Sequence, residues 1–466
     1  MSAEAKMSLG KKPTLTSTLQ YLSESEIDHR TDEEIEEFVN TYRQVKNEKN
    51  CWTFWYSGFE NMPRWCKRNV VGWVRRLGPD WDVRCTDMVD GSPNSASKFI
   101  DDQYLPDCLL RKAMTGKTFP QHASDMVRLP LVYLHGGVWM DSGTVLLRNF
   151  DDSFWNLLED PECPYEVFVI NFHYRLYEGQ ILNGLIGSRK SNPFIERWWR
   201  VFFELWKDRT DCAGLRYHPL IRHLGLIDGT NAEKIGIGGP KGNSAHIMVD
   251  YLSQNYCFER VRLVVDDVGN WNGPEYYRKH ICFLNAEREY WKYAALMPAE
   301  MHVKLMSLPF KPELTRESAK EDPPGQLPGA AELAATPYPD ETRLQQAARD
   351  WLTDISSSCL AVKFSGGYWW PDSGWAMPLA VTWGLPDHED DDIMPGTWAE
   401  WFRYASTHLR QTRKVPIYGS YCSDGDQSSM PGFLYAEAER VLHAGLLEPA
   451  LERDGWGFIP PFETAF

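Results

Sequence analysis

One stretch near the N-terminus constrains the fold more than any other part of the chain: "CWTFWYSGFENMPRWCKRNVVGWVRRLGPDWDVRC", residues 51–85. The apolar run from Cys51 to Tyr56 predicts a short buried strand, and a loop containing Gly and Pro follows it. The residues from Pro63 to Leu77 predict an amphipathic helix, and Trp81 to Cys85 predict a second strand. Strand, helix and strand in this order predict a βαβ unit with parallel strands and a right-handed crossover.

The same alternation continues along the chain and predicts the α/β class. Thr31 with Glu34 forms a capping-box pattern ahead of a helix. Another helix is predicted from about Ala123 to Leu134, with a strand starting at Val138 after a Gly-Gly break. Further strands are predicted at "YEVFVINF" and "LNGLIGS", a helix at "NPFIERWWRVFFELWKDR", and a helix followed by a strand at "TRLQQAARDWLTDISSSCLAVKF".

Composition divides the chain into four parts. Residues 1–48 are an N-terminal tail and helix, of which roughly the first 25 are expected to be loosely attached. Residues 49–308 form the α/β domain, and residues 309–340, rich in Pro, Ala and charge, are expected to be an insertion or linker. Residues 341–466 form a C-terminal extension that completes the cleft.

Charge and cysteine content restrict the possible functions. The net charge of -16 argues against a generally basic surface, so a nucleic-acid site would need a local basic patch. The ten Cys show no zinc-site spacing, which indicates reduced thiols. The N-terminus is polar, and the apolar windows are shorter than the ~20 residues of a membrane span. A cytoplasmic protein without membrane association is therefore expected.

The stretch "SDMVRLPLVYLHGGVWMDSG", residues 124–143, concentrates the charged residues that suggest a site. Asp125 and Arg128 are three residues apart at the start of the predicted helix and can pair on one face. The Gly136-Gly137 pair permits a sharp turn close to a ligand. Asp141 ends the following strand, where open α/β sheets bind ligands. The alternative is a helix-start salt bridge with Asp141 capping a turn.

Four motifs carry a resemblance to a known family: "WTFWYSGFENMP", "GPDWDVR", "ASDMVRLPLVYLHGGVWMD" and "NGLIGSRKSNPFIERWW". Over about residues 50 to 225 the chain resembles the sugar-binding DXD glycosyltransferases, and more closely the fungal proteins with a capsular-polysaccharide-synthesis domain. The resemblance implies a GT-A-like, Rossmann-like mixed sheet flanked by helices. It also implies that Asp125 and Arg128 contact a donor and that Asp141 is the first acid of the DXD motif.

The resemblance is incomplete at the motif itself, which reads Asp141-Ser142-Gly143 and lacks the second acid. A divalent cation on a diphosphate needs hard oxygen ligands, and one carboxylate is a weak holder. Asp424 and Asp426 could supply acids from elsewhere in the chain, although Asp-Gly-Asp is also a common turn. Sugar transferases of this kind in eukaryotes usually carry a membrane anchor, which this sequence does not show.

These departures favour an arginine-containing cyclodipeptide synthase, a group that the resemblance also includes. Such an enzyme takes arginine from arginyl-tRNA, joins it to a second amino acid or aminoacyl-tRNA, and closes a diketopiperazine in alkaloid biosynthesis. Asp141, Asp125 and Ser142 are the catalytic candidates, as base, guanidinium partner or acyl acceptor. The substrate-binding candidates are Arg128, Gly136, Gly137, Trp139, Asn183 and His218. The tRNA-binding candidates are Arg64, Lys67, Arg68, Arg75 and Arg76, although basic runs are often solvated surface.

Two other hypotheses stay open at this point. A cytosolic glycosyltransferase would use a nucleotide sugar, with Asp141 and an outside ligand holding Mg or Mn. A catalytically inactive module of the same fold would serve only for binding. No cofactor is certain from the sequence, and Mg or Mn is the candidate whichever activity holds. Of His135 and His173, His135 is a candidate base, and Trp369 with Trp370 could line a second pocket. Structural roles are the alternative for His135 and for both tryptophans.

Overall fold

The computed structural model of the 466-residue chain describes residues 15, 18–171, 181–222, 224, 249–266, 269–291, 299–311, 341–364, 379–417 and 419. The strands are β1 Leu19–Tyr21, β2 Asn50–Phe54, β3 Asp82–Thr86, β4 Gly137–Met140, β5 Thr144–Leu146, β6 Val167–Asn171, β7 Ile181–Ser188, β8 Val265–Asp266, β9 Trp271–Asn272, β10 Ile281–Asn285, β11 Ala361–Lys363 and β12 Leu409–Gln411.

The helices alternate with these strands. They are α1 Asp32–Asn40, α2 Arg64–Leu77, α3 Asp107–Leu110, α4 Phe119–His135, α5 Asn156–Glu159, α6 Pro193–Leu205, α7 Ser253–Leu263, α8 Gly273–His280, α9 Ala286–Glu289, α10 Ala299–Met306, α11 Glu341–Ser358, α12 Leu379–Thr382 and α13 Trp398–His408.

A six-stranded mixed sheet in the order β10-β6-β7-β4-β2-β3 forms the centre of the fold. β2 pairs in parallel with both β3 and β4, and β10 pairs in parallel with β6. β7 runs antiparallel to both β4 and β6. The predicted βαβ unit and the α/β class with a mixed sheet flanked by helices are thereby confirmed. The carboxyl ends of the parallel strands meet at one edge, and β7 begins at that same edge.

Alternating side chains of the sheet fill a core on each face. Cys51 of β2 and Val138 of β4 belong to one buried cluster, and their neighbours Trp52 and Trp139 belong to the other. This alternation follows from the two-residue period of a strand. Trp139 therefore lies on the face that the buried side of α4 also covers, and Asp141, two residues on, reaches the same side at the edge of the sheet.

Local signals explain where two of the helices that flank the sheet begin. The side chain of Asn192 accepts hydrogen bonds from the backbone N–H groups of Phe194 and Ile195, as an N-cap of α6 should. α4 begins at Phe119, with Pro120 in its first turn. The prediction that this helix begins with Ser124 and Asp125 is wrong, because the proline starts it earlier. Asp125 consequently lies inside the helix.

Two small sheets connect the C-terminal part of the chain to the rest. β5 pairs with β11 in antiparallel register, with Thr144 opposite Lys363. β1 pairs with β12. The expectation of a loose N-terminal tail is therefore wrong for Leu19–Tyr21, which the strand pairing holds. Most of the predicted linker at 309–340 lies outside the described residues. Within the described part of the chain, no helix combines the length and apolarity needed to cross a bilayer.

Candidate active site

The carboxylate of Asp141 stands at the carboxyl end of β4, as the sequence predicts. Its backbone N–H donates to the carbonyl oxygen of Gly184 on β7, at 2.9 Å. Trp139 donates its indole N–H to Oδ1 at 3.0 Å, and Lys363 donates Nζ to Oδ2 at 2.7 Å. The side chain remains 22% exposed. The carboxylate is thus held from several sides without being sealed inside the protein.

Arg128 joins Asp141 to the second predicted carboxylate. Its Nη2 lies 2.9 Å from Oδ1 of Asp125 and 3.5 Å from Oδ1 of Asp141. Its Nη1 donates to the carbonyl oxygen of Asn183 at 2.6 Å, and its guanidinium lies 4.9 Å from the ring centre of Trp139. The pairing of Asp125 with Arg128 on one helix face is as expected, and Arg128 also reaches across to β4 and β7.

Three polar groups of the α4 helix and its neighbours orient Asp125. Nδ1 of His122 lies 3.2 Å from Oδ2, and Asn183 donates Nδ2 to Oδ1 at 3.1 Å. Gln254 of α7 donates Nε2 to the backbone carbonyl of Asp125 at 2.6 Å and also accepts from Asn183. Asp125 is buried. Its contacts suit a residue that positions Arg128.

Gly184 leaves room for three polar side chains to converge. A Cβ at this position would lie 2.8 Å from Oδ2 of Asp141, 3.0 Å from the hydroxyl of Tyr290 and 3.1 Å from Nζ of Lys363. The Tyr290 hydroxyl lies 2.9 Å from Oγ1 of Thr144 and donates to the Gly184 carbonyl at 3.2 Å. A side chain of any size on Gly184 would therefore displace the groups around Asp141.

The close packing of charged groups in this cluster shifts the pKa values of Asp141 and His122. Burial raises the pKa of the Asp141 carboxyl, but Lys363 and Arg128 outweigh that effect and lower it to about 2. Burial lowers the pKa of His122, but its hydrogen bond to Asp125 outweighs that effect and raises the pKa to about 9. The guanidinium of Arg128 and the ammonium of Lys363 lie beside the Asp141 carboxylate, and their N–H groups are donors that suit an anionic partner.

The remaining predicted site residues lie elsewhere or have other partners. Gly136 and Gly137 stand at the opposite end of β4 from Asp141, where an added Cβ would come within 2.7 Å of Glu48 and 2.3 Å of the Asn50 carbonyl. Their positive φ angles and this close packing explain why glycine occupies both positions.

Two further candidates have local contacts. Ser142 follows Asp141 directly, and its carbonyl accepts from Nδ2 of Asn69 at 2.8 Å. His218 is buried, and its Nδ1 accepts from the backbone N–H of Leu220. Burial lowers the pKa of His218 to about 3, so it is uncharged at neutral pH. His135, the candidate base, lies with Nε2 2.7 Å from the Phe99 carbonyl oxygen.

The predicted tRNA-binding residues have partners within the protein itself. Arg64 and Arg68 bind Asp390 at 2.7 and 2.9 Å, and Arg68 also binds Asp392. Lys67 lies 3.5 Å from Glu60, Arg75 pairs with Asp32, and buried Arg76 donates to the Ser406 carbonyl at 2.8 Å. These side chains tie α2 to its neighbours, which is why they do not form a free basic face.

The residues around Asp141 do not fit a divalent cation. Oδ2 of Asp141 accepts from the ammonium of Lys363, and Oδ1 accepts from the indole of Trp139, so both oxygens face positive or N–H groups. Mg²⁺ and Mn²⁺ prefer several oxygen ligands. Among the described residues, no three His, Cys, Asp or Glu side chains come together to hold a metal. Asp424 and Asp426 lie outside the described residues, as do His173, Trp369 and Trp370.

Sequence reasoning missed four members of the cluster. His122 lies one turn before Asp125, so helix spacing could have indicated it. Lys363, Tyr290 and Gln254 come from distant elements, and Lys363 is 222 residues from Asp141 in the sequence. Motif spacing carries no signal for such contacts, because strand pairing and helix packing create them.

The comparisons with known proteins can now be set beside this geometry. Residues 8–224 match the model of the family described as capsular polysaccharide synthesis protein. The O-glycosyltransferase braB of Annulohypoxylon truncatum is 36% identical over 92% of this chain and 93% of its own length. The O-glycosyltransferase PaGT of Phomopsis amygdali is 33% identical over 91% of this chain and 94% of its own. The glycosyltransferase afumC of Aspergillus fumigatus is 33% identical over 83% of this chain and 92% of its own length.

The fold is that of an α/β protein with a mixed sheet, and a cluster of charged side chains lies at the carboxyl end of β4. The chain belongs to the capsular-polysaccharide-synthesis-domain family that includes these fungal relatives. A solved structure, the PaToxG glycosyltransferase, aligns with a TM-score of 0.25 at 14% identity over 38% of this chain and 67% of its own.

The predicted resemblance to the capsular-polysaccharide-synthesis-domain family is confirmed. The narrower prediction of a cyclodipeptide synthase is not. The expectation of an arginyl-tRNA-dependent cyclodipeptide synthase is wrong, because relatives that align over most of both chains are named glycosyltransferases. The expected partners, arginyl-tRNA and a second amino acid or aminoacyl-tRNA, are corrected with it. Ser142 loses the role of acyl acceptor that this hypothesis gave it.

Proposed function

We propose that the protein is a glycosyltransferase that moves a sugar from a nucleoside diphosphate sugar to a hydroxyl group of an acceptor. The names of relatives that align over nine tenths of both chains support the reaction class and the hydroxyl acceptor. The observation that carries the proposal is the junction of Asp125, Arg128 and Asp141 at the carboxyl edge of the sheet. Open α/β sheets bind nucleotides at this edge.

The charge of the cluster suits the leaving group of such a reaction. When the bond between the sugar carbon and the phosphate oxygen breaks, its electron pair stays on the diphosphate, which gains negative charge. The guanidinium of Arg128 is already oriented by Asp125 and Asn183, so stabilising that charge requires little rearrangement. The new bond forms to the acceptor hydroxyl oxygen, which gives up its proton.

The side chains divide into two roles under this proposal. We assign donor contact to Asp141, whose side chain is 22% exposed, and to Arg128, whose guanidinium lies 3.5 Å from it. Asp125, Asn183 and Trp139 are positioning residues, because their polar groups are directed at Arg128 and Asp141. The cytoplasmic location expected from the sequence stays a prediction.

The test is a screen of nucleotide sugars, including those of UDP and GDP, for release of the nucleoside diphosphate. Slow transfer to water makes this release measurable before the acceptor is known. Arg128→Met should lower the rate about 100-fold, since a hydrogen-bonded charge in such a site contributes ~3 kcal/mol. Arg111→Met is the matched control. Arg111 is exposed and pairs with Asp107 of α3, whereas Arg128 belongs to α4.

Two results would contradict the proposal. One is that no nucleotide sugar is consumed and none of the nucleoside diphosphates binds. The other is that Arg128→Met and Arg111→Met behave alike in a protein that does consume a donor. Either result would remove the cluster as the donor site.

A further inference from the structure

Lys363 is the residue of the cluster that neither the sequence motifs nor the family comparison assigns. It is the last residue of β11, and its place is set by the pairing of β11 with β5, which puts it opposite Thr144. Thr144 follows Asp141 by three residues. The strand pairing therefore places an ammonium group from the C-terminal part of the chain next to the Asp141 carboxylate at the end of β4.

Several contacts fix the position of this ammonium. Nζ lies 2.7 Å from Oδ2 of Asp141, and the Lys363 side chain is 14% exposed. Gly184 provides the space, because a Cβ there would come within 3.1 Å of Nζ. The backbone N–H of Phe364 donates to the carbonyl of Gly143 at 3.3 Å, and the backbone N–H of Lys363 donates to the Tyr290 carbonyl at 3.0 Å.

The contact with Gly143 links the lysine to the incomplete motif. Gly143 stands where the second acid of a DXD pattern would be, and the end of β11 is hydrogen-bonded to its backbone. The cluster thus lacks one carboxylate and contains one additional ammonium. A divalent cation at Asp141 would have to share its carboxylate with Lys363 and would be repelled by it.

Resting on the proposed function, we infer that Lys363 binds the donor diphosphate in the role that a divalent cation would otherwise have, so that sugar transfer needs no divalent cation. An ammonium carries three N–H donors, and Asp141 takes one. Within the described part of the chain the other two have no partner and can face phosphate oxygens. Lysine is a common phosphate-binding residue for this reason.

The step balances without any further reactant. The bond between the sugar carbon and the diphosphate oxygen breaks, and both its electrons remain on that oxygen beside Lys363 and Arg128. The acceptor oxygen forms the new bond to the sugar carbon, and its proton passes to solvent water. Nothing is oxidised or reduced.

The test measures binding of UDP and of GDP by calorimetry, in metal-stripped buffer with a chelator and in buffer with Mg²⁺ or Mn²⁺. The wild-type protein should bind one of these probes in chelator, with an affinity within about threefold of that in the divalent-cation buffer. In chelator, Lys363→Met should weaken binding roughly 10- to 100-fold, as expected for loss of a hydrogen bond to a charged group. Lys363→Arg should recover most of it, because the charge is retained.

Controls separate a local effect from misfolding. Lys311→Met removes a lysine that pairs with Glu341 at 3.5 Å, away from the cluster, and should leave binding unchanged. Thermal unfolding of each variant establishes that it is folded at the assay temperature. Initial rates of nucleoside diphosphate release in the same two buffers give a second readout.

The possible outcomes distinguish this inference from the proposed function. If binding and turnover appear only with a divalent cation, and Lys363→Met matches Lys311→Met, the role of Lys363 is refuted while glycosyl transfer stands. If neither probe binds in either buffer and no nucleotide sugar is consumed, the donor site itself is wrong and both proposals fall.

Discussion

Gly184→Ala adds a single methyl group at the centre of the proposed site and tests whether the packing there matters. The new methyl group would lie 2.8 Å from Oδ2 of Asp141, 3.0 Å from the Tyr290 hydroxyl and 3.1 Å from Nζ of Lys363. Each distance is well below the 3.5–4.0 Å at which non-bonded heavy atoms make favourable contact. Since these three groups are hydrogen-bonded to one another or to Gly184, all of them must shift together.

The size of the effect follows from packing. Adding a methylene-sized group to a packed interior typically costs about 1–3 kcal/mol. Unfolding entropy of ~2.1 cal/mol/K per residue amounts to about 1 kcal/mol/K for 466 residues. The unfolding temperature should therefore fall by about 1–3 °C. Donor binding should weaken by roughly tenfold or more, because the ammonium of Lys363 leaves its position.

The assay pairs thermal unfolding with calorimetric binding of UDP and GDP. Gly72→Ala in α2 is the matched control, since its Cβ would meet only Cγ2 of Thr407 at 4.0 Å. Alanine inside a helix should raise stability by roughly 0.5–1 kcal/mol. The reasoning is refuted if both alanine variants have the same effects on stability and on binding.

Three further predictions follow from the same contacts. Asp141→Asn should slow nucleoside diphosphate release about 100-fold, because a neutral amide cannot hold the nearby ammonium; the initial rate tests this. Because the pKa of His122 is raised from 6.5 to about 9, its ion pair stabilises the fold fully below pH 6.5 and is lost as pH rises through 9. Unfolding temperature should therefore fall over this range, and less so in His122→Gln. Asp392→Asn leaves Arg68 and Arg403 without their buried carboxylate, so about 3–5 kcal/mol of stability should be lost with donor affinity unchanged.

The parts of the fold that the sequence predicted are those set by local patterns. Parallel pairing of β2 and β3 follows from the βαβ order, and the capping box at Thr31 starts α1 as expected, with Ile35 and Val39 buried. The start of α4 was misplaced because Pro120 initiates the helix earlier than its apolar pattern suggests. The pairing of Leu19–Tyr21 with β12 was missed, since nothing in a short polar segment indicates a partner almost four hundred residues away.

The candidate site shows the same difference between residues close in sequence, which could be predicted, and contacts between distant residues, which could not. Asp125, Arg128 and Asp141 lie within one stretch of sequence, and the structure brings them together. Gly136 and Gly137 belong to the same stretch, but they stand at the start of β4 and Asp141 follows its end, so their close packing is with Glu48 and Asn50. Arg64 and Arg68 of α2 looked like part of a basic face because their carboxylate partner Asp390 is distant in sequence.

A crystal structure of the protein with bound UDP or GDP, grown with Mn²⁺ present, tests the central claim most directly. The account predicts that diphosphate oxygens lie within hydrogen-bonding distance of Nζ of Lys363 and of the Arg128 guanidinium, without manganese between them and Asp141. Manganese bound to Asp141, with Lys363 moved away from the carboxylate, would contradict the account, as would a diphosphate bound elsewhere.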